Sequence, residues 1–293
     1  MPGQLKTRIY APRIKGDLAL GLEPSRIDGY GAKAWARMDF PGRRLPGLAD
    51  QTIYETSSTQ KFAIGTRRIE YGRTFRYAKC GATTSEASKA RLLANGNYNP
   101  EVPGHVDEDG FFGDLLTAAE VGDKYVDLEE TAAGRAANFF QGGYFTPFDD
   151  NYNTYYIVAS DASTATYTRI YLDHAIVQAI SDTNGVEVYP SPYSKIIDGL
   201  TAQSYKSHVG IALCGNITAD YYFWLQTRGP TWITPYNWTT GCPGYAADKR
   251  DAYAWIDGTV TVATTVGSLQ RVGYLIPATA SGYGCVHIML QLE

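Results

Sequence analysis

Val209-Gly210-Ile211-Ala212-Leu213 is followed by Tyr221-Tyr222-Phe223-Trp224-Leu225-Gln226-Thr227-Arg228-Gly229-Pro230, two apolar and aromatic runs separated by small turn-forming residues. The arrangement returns near the end of the chain, where Val272-Gly273-Tyr274-Leu275-Ile276-Pro277-Ala278 precedes Val286-His287-Ile288-Met289-Leu290-Gln291-Leu292. Short runs of β-branched and aromatic residues bounded by Gly, Pro and Asn fit a pleated, half-buried surface. Each pair therefore predicts two adjacent strands. The shared Val-Gly start suggests two halves of one sheet system, with Thr259-Val260-Thr261-Val262-Ala263 as a further strand between them. Nothing repeats at a solenoid period.

Working outward, the same signals recur upstream. Gln60-Lys61-Phe62-Ala63-Ile64 and Arg68-Ile69-Glu70-Tyr71 flank Gly65-Thr66-Arg67, and Tyr71-Gly72-Arg73 leads into the alternating run Thr74-Phe75-Arg76-Tyr77-Ala78, a hairpin-like unit. Further strands are expected at Lys124 to Leu128, Gly142 to Thr146, Tyr155 to Ser160 and Thr166 to Leu172. Asp182-Thr183-Asn184-Gly185 predicts a hairpin turn joining Ile176–Ile180 to Val186–Tyr189. One segment reads differently. Thr84 to Gly96 offers a Thr or Ser cap, good helix formers and an Asn-Gly stop, and predicts a short helix near 84–95. Residues 96–114, rich in Gly, Pro, Asn and acids, predict a long loop.

The fold class expected is mainly β, a β-sandwich or β-barrel body with an extended N-terminal arm and one short helix. The domain reading is a basic arm over residues 1–50, a β-rich domain over 51–200 and a C-terminal β subdomain over 201–293 packed on it. The arm follows from Pro2, Pro12, Pro24, Pro41 and Pro46, which interrupt helices and ladders alike. It also follows from charge: residues 1–50 hold nine Lys or Arg against five acids, so they carry +4 within a chain of net charge −4. A basic segment on an acidic body suggests docking on an acidic surface, with Arg8, Arg13, Lys15, Arg37, Arg43 and Arg44 as contact residues.

A search for chemistry yields little. The sequence contains no nucleophile elbow, P-loop, zinc-protease helix or dinucleotide-binding glycine pattern. His105, His174, His208 and His287 are widely separated, and His287 alternates with apolar neighbours as a sheet residue does. Cys80, Cys214, Cys242 and Cys285 form no C-x-x-C pair, which removes zinc-knuckle and redox readings and leaves one disulfide open. The acidic runs Asp107-Glu108-Asp109 and Asp149-Asp150 lack the spacing of a calcium loop. The expectation is a protein without catalytic residues, metal or cofactor. The acidic balance argues against nucleic acid as main partner. The N-terminus lacks an apolar signal region, and no run of about 18 apolar residues spans a bilayer, so a protein made in the cytoplasm without a membrane partner is expected.

Aromatic content is the remaining signal. The 23 Tyr, 10 Phe and 5 Trp concentrate at Tyr144 to Tyr156, Tyr221 to Trp224 and Trp232 to Trp238. Tyr and Trp give large contact area at low entropic cost, which marks Trp224, Trp232, Tyr236 and Trp238 as candidate interface aromatics, for a protein partner or a sugar.

Three segments carry a resemblance. Gln51 to Gly81, with Phe62-Ala63-Ile64-Gly65-Thr66 and Gly72-Arg73-Thr74-Phe75-Arg76-Tyr77-Ala78, together with Tyr222 to Pro230 and Val272 to Leu292, resembles tailed-bacteriophage head decoration, or cement, proteins. The resemblance implies a virion structural protein, made in the host cytoplasm and bound in many copies to the outside of the capsid. It implies the major capsid protein as partner, self-association as trimer or dimer, and an arm reaching across neighbouring subunits. A tail or fibre protein that binds a host receptor or carbohydrate through its Tyr- and Trp-rich loops is the competing expectation.

Overall fold

The computed structural model describes residues 50–84, 90–97, 110–130, 134–148, 152–199, 207–236, 250–261, 269–276 and 287–293. The basic arm, Arg8, Arg13, Lys15, Arg37, Arg43 and Arg44 included, lies outside these residues, as do Trp238, Cys242, Cys285 and the two acidic runs. Among the described residues the protein is mainly β, formed by two curled antiparallel sheets with no helix.

The larger sheet has ten strands. It takes β1 (Arg67–Glu70), β2 (Arg73–Lys79) and β3 (Leu92–Asn95) from the first third of the chain. From the last third it takes β10 (Ile196–Ile197), β11 (His208–Ala212), β12 (Tyr222–Trp232), β13 (Asp251–Ala254), β14 (Val260–Thr261), β15 (Arg271–Leu275) and β16 (His287–Gln291). Both strand pairs expected from Val209–Pro230 and Val272–Leu292 form, β11 against β12 and β15 against β16, and β12 pairs with β16, so they do share one sheet. The β1–β2 hairpin forms too, turning through Tyr71 and Gly72 with positive φ angles of 50° and 75°.

The smaller sheet has six strands, in the order β4 (Phe111–Gly113), β9 (Val186–Tyr189), β6 (Tyr144–Pro147), β7 (Tyr155–Ser160), β8 (Thr168–Leu172) and β5 (Tyr125–Leu128). All its strands come from between β3 and β10, so it is an insertion into the larger sheet. Asn95 at the end of β3 pairs with Ile196 at the start of β10, which closes the base of the insertion. The sheets thus part the chain near residues 96 and 195.

Two local expectations are corrected. Of the helix expected near 84–95, residues 85–89 lie outside the described residues, and its last part, Leu92–Asn95, is instead a strand whose four residues are all buried, between β10 and β11. A strand covered on both faces reads as a continuous apolar run, and periodicity cannot separate that from a buried helical turn. The hairpin across Asp182 to Gly185 does not form either. Ile180 bridges to Ala119, while β9 lies between β4 and β6. Gly185 keeps the expected turn conformation, with φ +75°, but the turn delivers β9 to other partners.

The 11-residue β12 is the central strand. Its first half pairs with β2 and with β11, and its second half with β16. The register shifts between Gln226 and Arg228, and Gly229 follows at φ +101°, where a Cβ would meet the Gly72 carbonyl oxygen at 2.8 Å. The fully buried Gln226 amide spans this bulge, its Nε2 facing the carbonyl oxygens of Arg228, Gly229 and Pro230 at 3.3, 3.3 and 3.1 Å. A bulge increases local twist and redirects a strand, which suits a strand that changes partners midway.

Trp224, on β12, packs its ring 5.0 Å from both Phe62 and Tyr77 and donates its indole N–H to the Gln51 carbonyl at 3.1 Å. The Tyr77 hydroxyl donates to Gln51 Oε1 at 2.9 Å and accepts from the Lys61 N–H. Truncating Trp224 removes the ring that joins these segments, so Trp224→Ala is expected to cost ~3–5 kcal/mol, measured by denaturant unfolding.

His208 is buried on β11, its backbone clamped on both sides by the Gln270 side chain at 2.8 Å, and its Nε2 has no hydrogen-bond partner. Burial lowers its pKa to about 4, against a smaller opposing effect of Asp257, which is itself paired with Arg91. The unfolded chain takes the proton first, at about 6.5, so this residue's contribution is intact above that pH and is lost as pH falls from there toward 4. Melting temperatures should therefore drop through that window more steeply for the native protein than for His208→Leu.

Candidate binding surface

The inserted sheet has two faces of opposite character. Phe111, Val126, Leu128, Phe145, Tyr155, Ile157, Ile170, Leu172, Val186 and Val188 point inward and form one buried cluster. The residues between them point the other way, and strand alternation makes that outer face aromatic. Tyr189 lies opposite Tyr144, and Tyr144 opposite Tyr156, a row across β9, β6 and β7. Tyr171 lies opposite Tyr125 on β8 and β5. The Tyr144 and Tyr156 rings meet edge to face at 5.8 Å, and those of Tyr125 and Tyr171 lie 6.4 Å apart. Tyr144 is 43% exposed, Tyr125 45% and Phe112 49%, so these rings offer surface to a partner. Phe112 continues the face to its edge through Phe148 and Tyr152.

Carboxylates are interleaved with the rings. Asp127, next but one to Tyr125, accepts two hydrogen bonds from Arg169 at 2.7 and 2.8 Å. The Arg169 guanidinium lies 4.3 Å from the Tyr125 ring centre, so one cation is held by a ring and a carboxylate together. Hydrogen bonding to Asp127 raises the Arg169 pKa further above its ordinary value. Tyr171 donates its hydroxyl to Asp161 at 3.1 Å. Asp173 accepts the Tyr156 backbone N–H at 3.1 Å and pairs with His174 at 2.7 Å. Glu187 lies opposite both Phe112 and Thr146.

The charge of the chain is concentrated here. Residues 111–189 contain twelve acids against three Lys or Arg, a net −9, whereas the whole chain carries −4.

One end of the tyrosine row meets the larger sheet. Arg76, on β2, bonds Glu293 through Nε at 2.8 Å and Nη2 at 2.6 Å, donates Nη1 to the Gly65 carbonyl at 3.0 Å and lies 5.9 Å from the Tyr193 ring centre. Thr227 donates to the other Glu293 oxygen at 2.9 Å. Gly142, at φ +79°, runs so close to this seam that a Cβ there would stand 2.9 Å from the Ile64 carbonyl oxygen. Burial raises the phenol pKa values of Tyr156 and Tyr193 to about 12, in each case against the opposing positive charge of Arg76.

The aromatics marked from sequence take several places. Trp224 is a core residue, buried with Phe62 and Tyr77, and offers no surface, because β12 has strands along both edges and its face is covered. Trp232 is half-buried opposite His287. Tyr236 is half-exposed and packs 4.5 Å from Trp255, a neighbour the sequence reading missed. Of the outer-face tyrosines, Tyr144 and Tyr156 fall in the aromatic stretch Tyr144 to Tyr156, whereas Tyr125, Tyr171 and Tyr189 lie outside the stretches that composition marks. The signal for the first two is the alternation of Tyr144, Thr146 and Tyr156 with buried Phe145, Tyr155 and Ile157. Cys80 and Cys214 are free thiols, both raised by burial to about 11. Among the described residues no group of three or more His, Cys, Asp or Glu is placed to hold a metal ion, and no helix is long and apolar enough to cross a membrane. No protein-family model, curated protein or solved structure matches the chain.

Alkaline titration followed at the tyrosinate absorbance should resolve phenols that ionise near pH 12, Tyr156 and Tyr193 among them. Tyr193→Phe should remove one phenol from that step.

Proposed function

We propose that the protein is a virion structural protein, a decoration or cement protein that binds the outside of a tailed-bacteriophage head and stabilises the shell, with the major capsid protein and further copies of itself as partners. The observation that carries a binding role is the broad face of exposed and half-buried tyrosines on a sheet inserted into the larger one. Rings of this kind give contact area without freezing many rotatable bonds, and they are enriched where proteins bind one another. The β1–β2 hairpin and β12, which bear the sequence resemblance, supply the body on which that face is mounted. A ligand that binds the mature shell and not its precursor stabilises the shell by mass action, and many weak copies on one lattice reinforce one another.

The same rings beside carboxylates also favour a second reading, a tail or fibre protein whose tyrosine platform stacks against sugars. Stoichiometry separates the two. Quantitative mass spectrometry of purified virions, referenced to the major capsid protein, is expected to give on the order of hundreds of copies per particle. A handful of copies would move the protein to the tail or a fibre, and its absence from particles would end the virion reading.

A further inference from the structure

We propose that the carboxylate-lined tyrosine face of the inserted sheet is the docking surface for the basic N-terminal segment of this chain, residues 1–49. The inference rests on the reading of that face as a protein-binding surface, and it names the occupant. Three observations support it.

The first is the chemistry of the seat already filled. Arg169 shows what this face holds: a guanidinium over the Tyr125 ring at 4.3 Å, forked onto both oxygens of Asp127. Flat cations suit such a seat, because the ring attracts the charge and the carboxylate accepts paired N–H bonds. The second is repetition of the parts. Asp161 accepts the Tyr171 hydroxyl, and Asp173, paired with His174, accepts the backbone N–H of Tyr156 beside the exposed Tyr144, so exposed carboxylates again stand among the tyrosines. The described cation near these rings on the larger sheet, Arg76, is committed to Glu293.

The third is charge complementarity within one chain. Residues 111–189 carry −9, and residues 1–49 carry nine Lys or Arg against four acids. Six of those nine are arginines, Arg8, Arg13, Arg26, Arg37, Arg43 and Arg44, the residue type that Arg169 shows the face accepting. The frequent prolines of the segment favour an extended course, which lays side chains along a sheet face one after another. Supplied by a neighbouring copy, the segment ties copies together across a lattice.

Zero-length carbodiimide cross-linking of the full-length protein, read by mass spectrometry, tests the assignment. It is expected to join Lys6, Lys15 or Lys33 to Asp161, Asp173 or Glu187 at low ionic strength, and these links should fade at about 0.5 M salt, where charges on an exposed face are screened. The variant Tyr144→Ser with Tyr171→Ser keeps every carboxylate, so its links should fall about five-fold through loss of the rings alone, with the melting temperature monitored to confirm an intact fold. Mixing isotope-labelled and unlabelled protein shows which copy supplies the segment, and either source supports the assignment. Links confined to acids of the larger sheet, such as Asp220, Asp251 or Asp257, would overturn it, as would their absence or their indifference to the tyrosine changes. The copy number in virions does not depend on this result, so the two readings can fail separately.

Discussion

Almost everything in the larger sheet hangs on β12 and on the bulge at its middle. A strand has two edges, yet β12 must serve β2, β11 and β16. The register shift near Gln226 to Arg228 makes that possible by turning the second half of the strand toward a new partner. The turn exposes carbonyl groups in a dry interior, where an unpaired polar group costs about 1–3 kcal/mol, and the buried Gln226 amide is aimed at three of them. Gly229 leaves room for the β1–β2 turn to lie against the bulge. Through this one strand the hairpin near the start of the body, the middle pair and the last pair become a single structure.

The inserted sheet answers a different constraint. It is covered by its own cluster on one face and is left with rings and carboxylates on the other. Its contact with the body runs through the seam of Arg76, Glu293, Tyr193 and Gly142, where one guanidinium is held by a carboxylate, a carbonyl and a ring. The phenols of this seam are kept neutral by burial, the Arg76–Glu293 ion pair fixes the body's side of it, and Gly142 brings the insertion's backbone against Ile64. The outer face is thereby mounted at a fixed place on the body.

The fold is legible wherever alternation or bounding turn residues mark a strand. Val209–Leu213 with Tyr221–Pro230, and Arg68–Tyr71 with Thr74–Ala78, announced their strands because apolar and polar side chains alternate or because glycine and turn residues bound them. Leu92-Leu93-Ala94 misled for the opposite reason: with both faces covered, nothing distinguishes its pattern from helix. The Asp182–Gly185 turn was read correctly as a turn but not in its consequence, since a turn fixes the chain's direction and long-range packing selects the partner of the strand that follows. For the binding surface, composition points to Tyr144 and Tyr156 but equally to Trp224, which is core. A tryptophan in an aromatic run carries no label for inside or outside. Only the alternation of Tyr144 and Tyr156 against Phe145 and Ile157 contained that information.

The double closure at the root of the insertion has its own consequence. The chain leaves the larger sheet at Asn95 and returns at Ile196, directly opposite, and within the insertion Phe111 and Val188 again face each other. Departure and return are side by side at two successive levels, like the two strands of a stem. What lies beyond such a stem can be lengthened, shortened or exchanged without moving either anchor. The body is therefore a chassis and the inserted sheet a cassette, so that related chains can keep one framework while diverging freely in what they present.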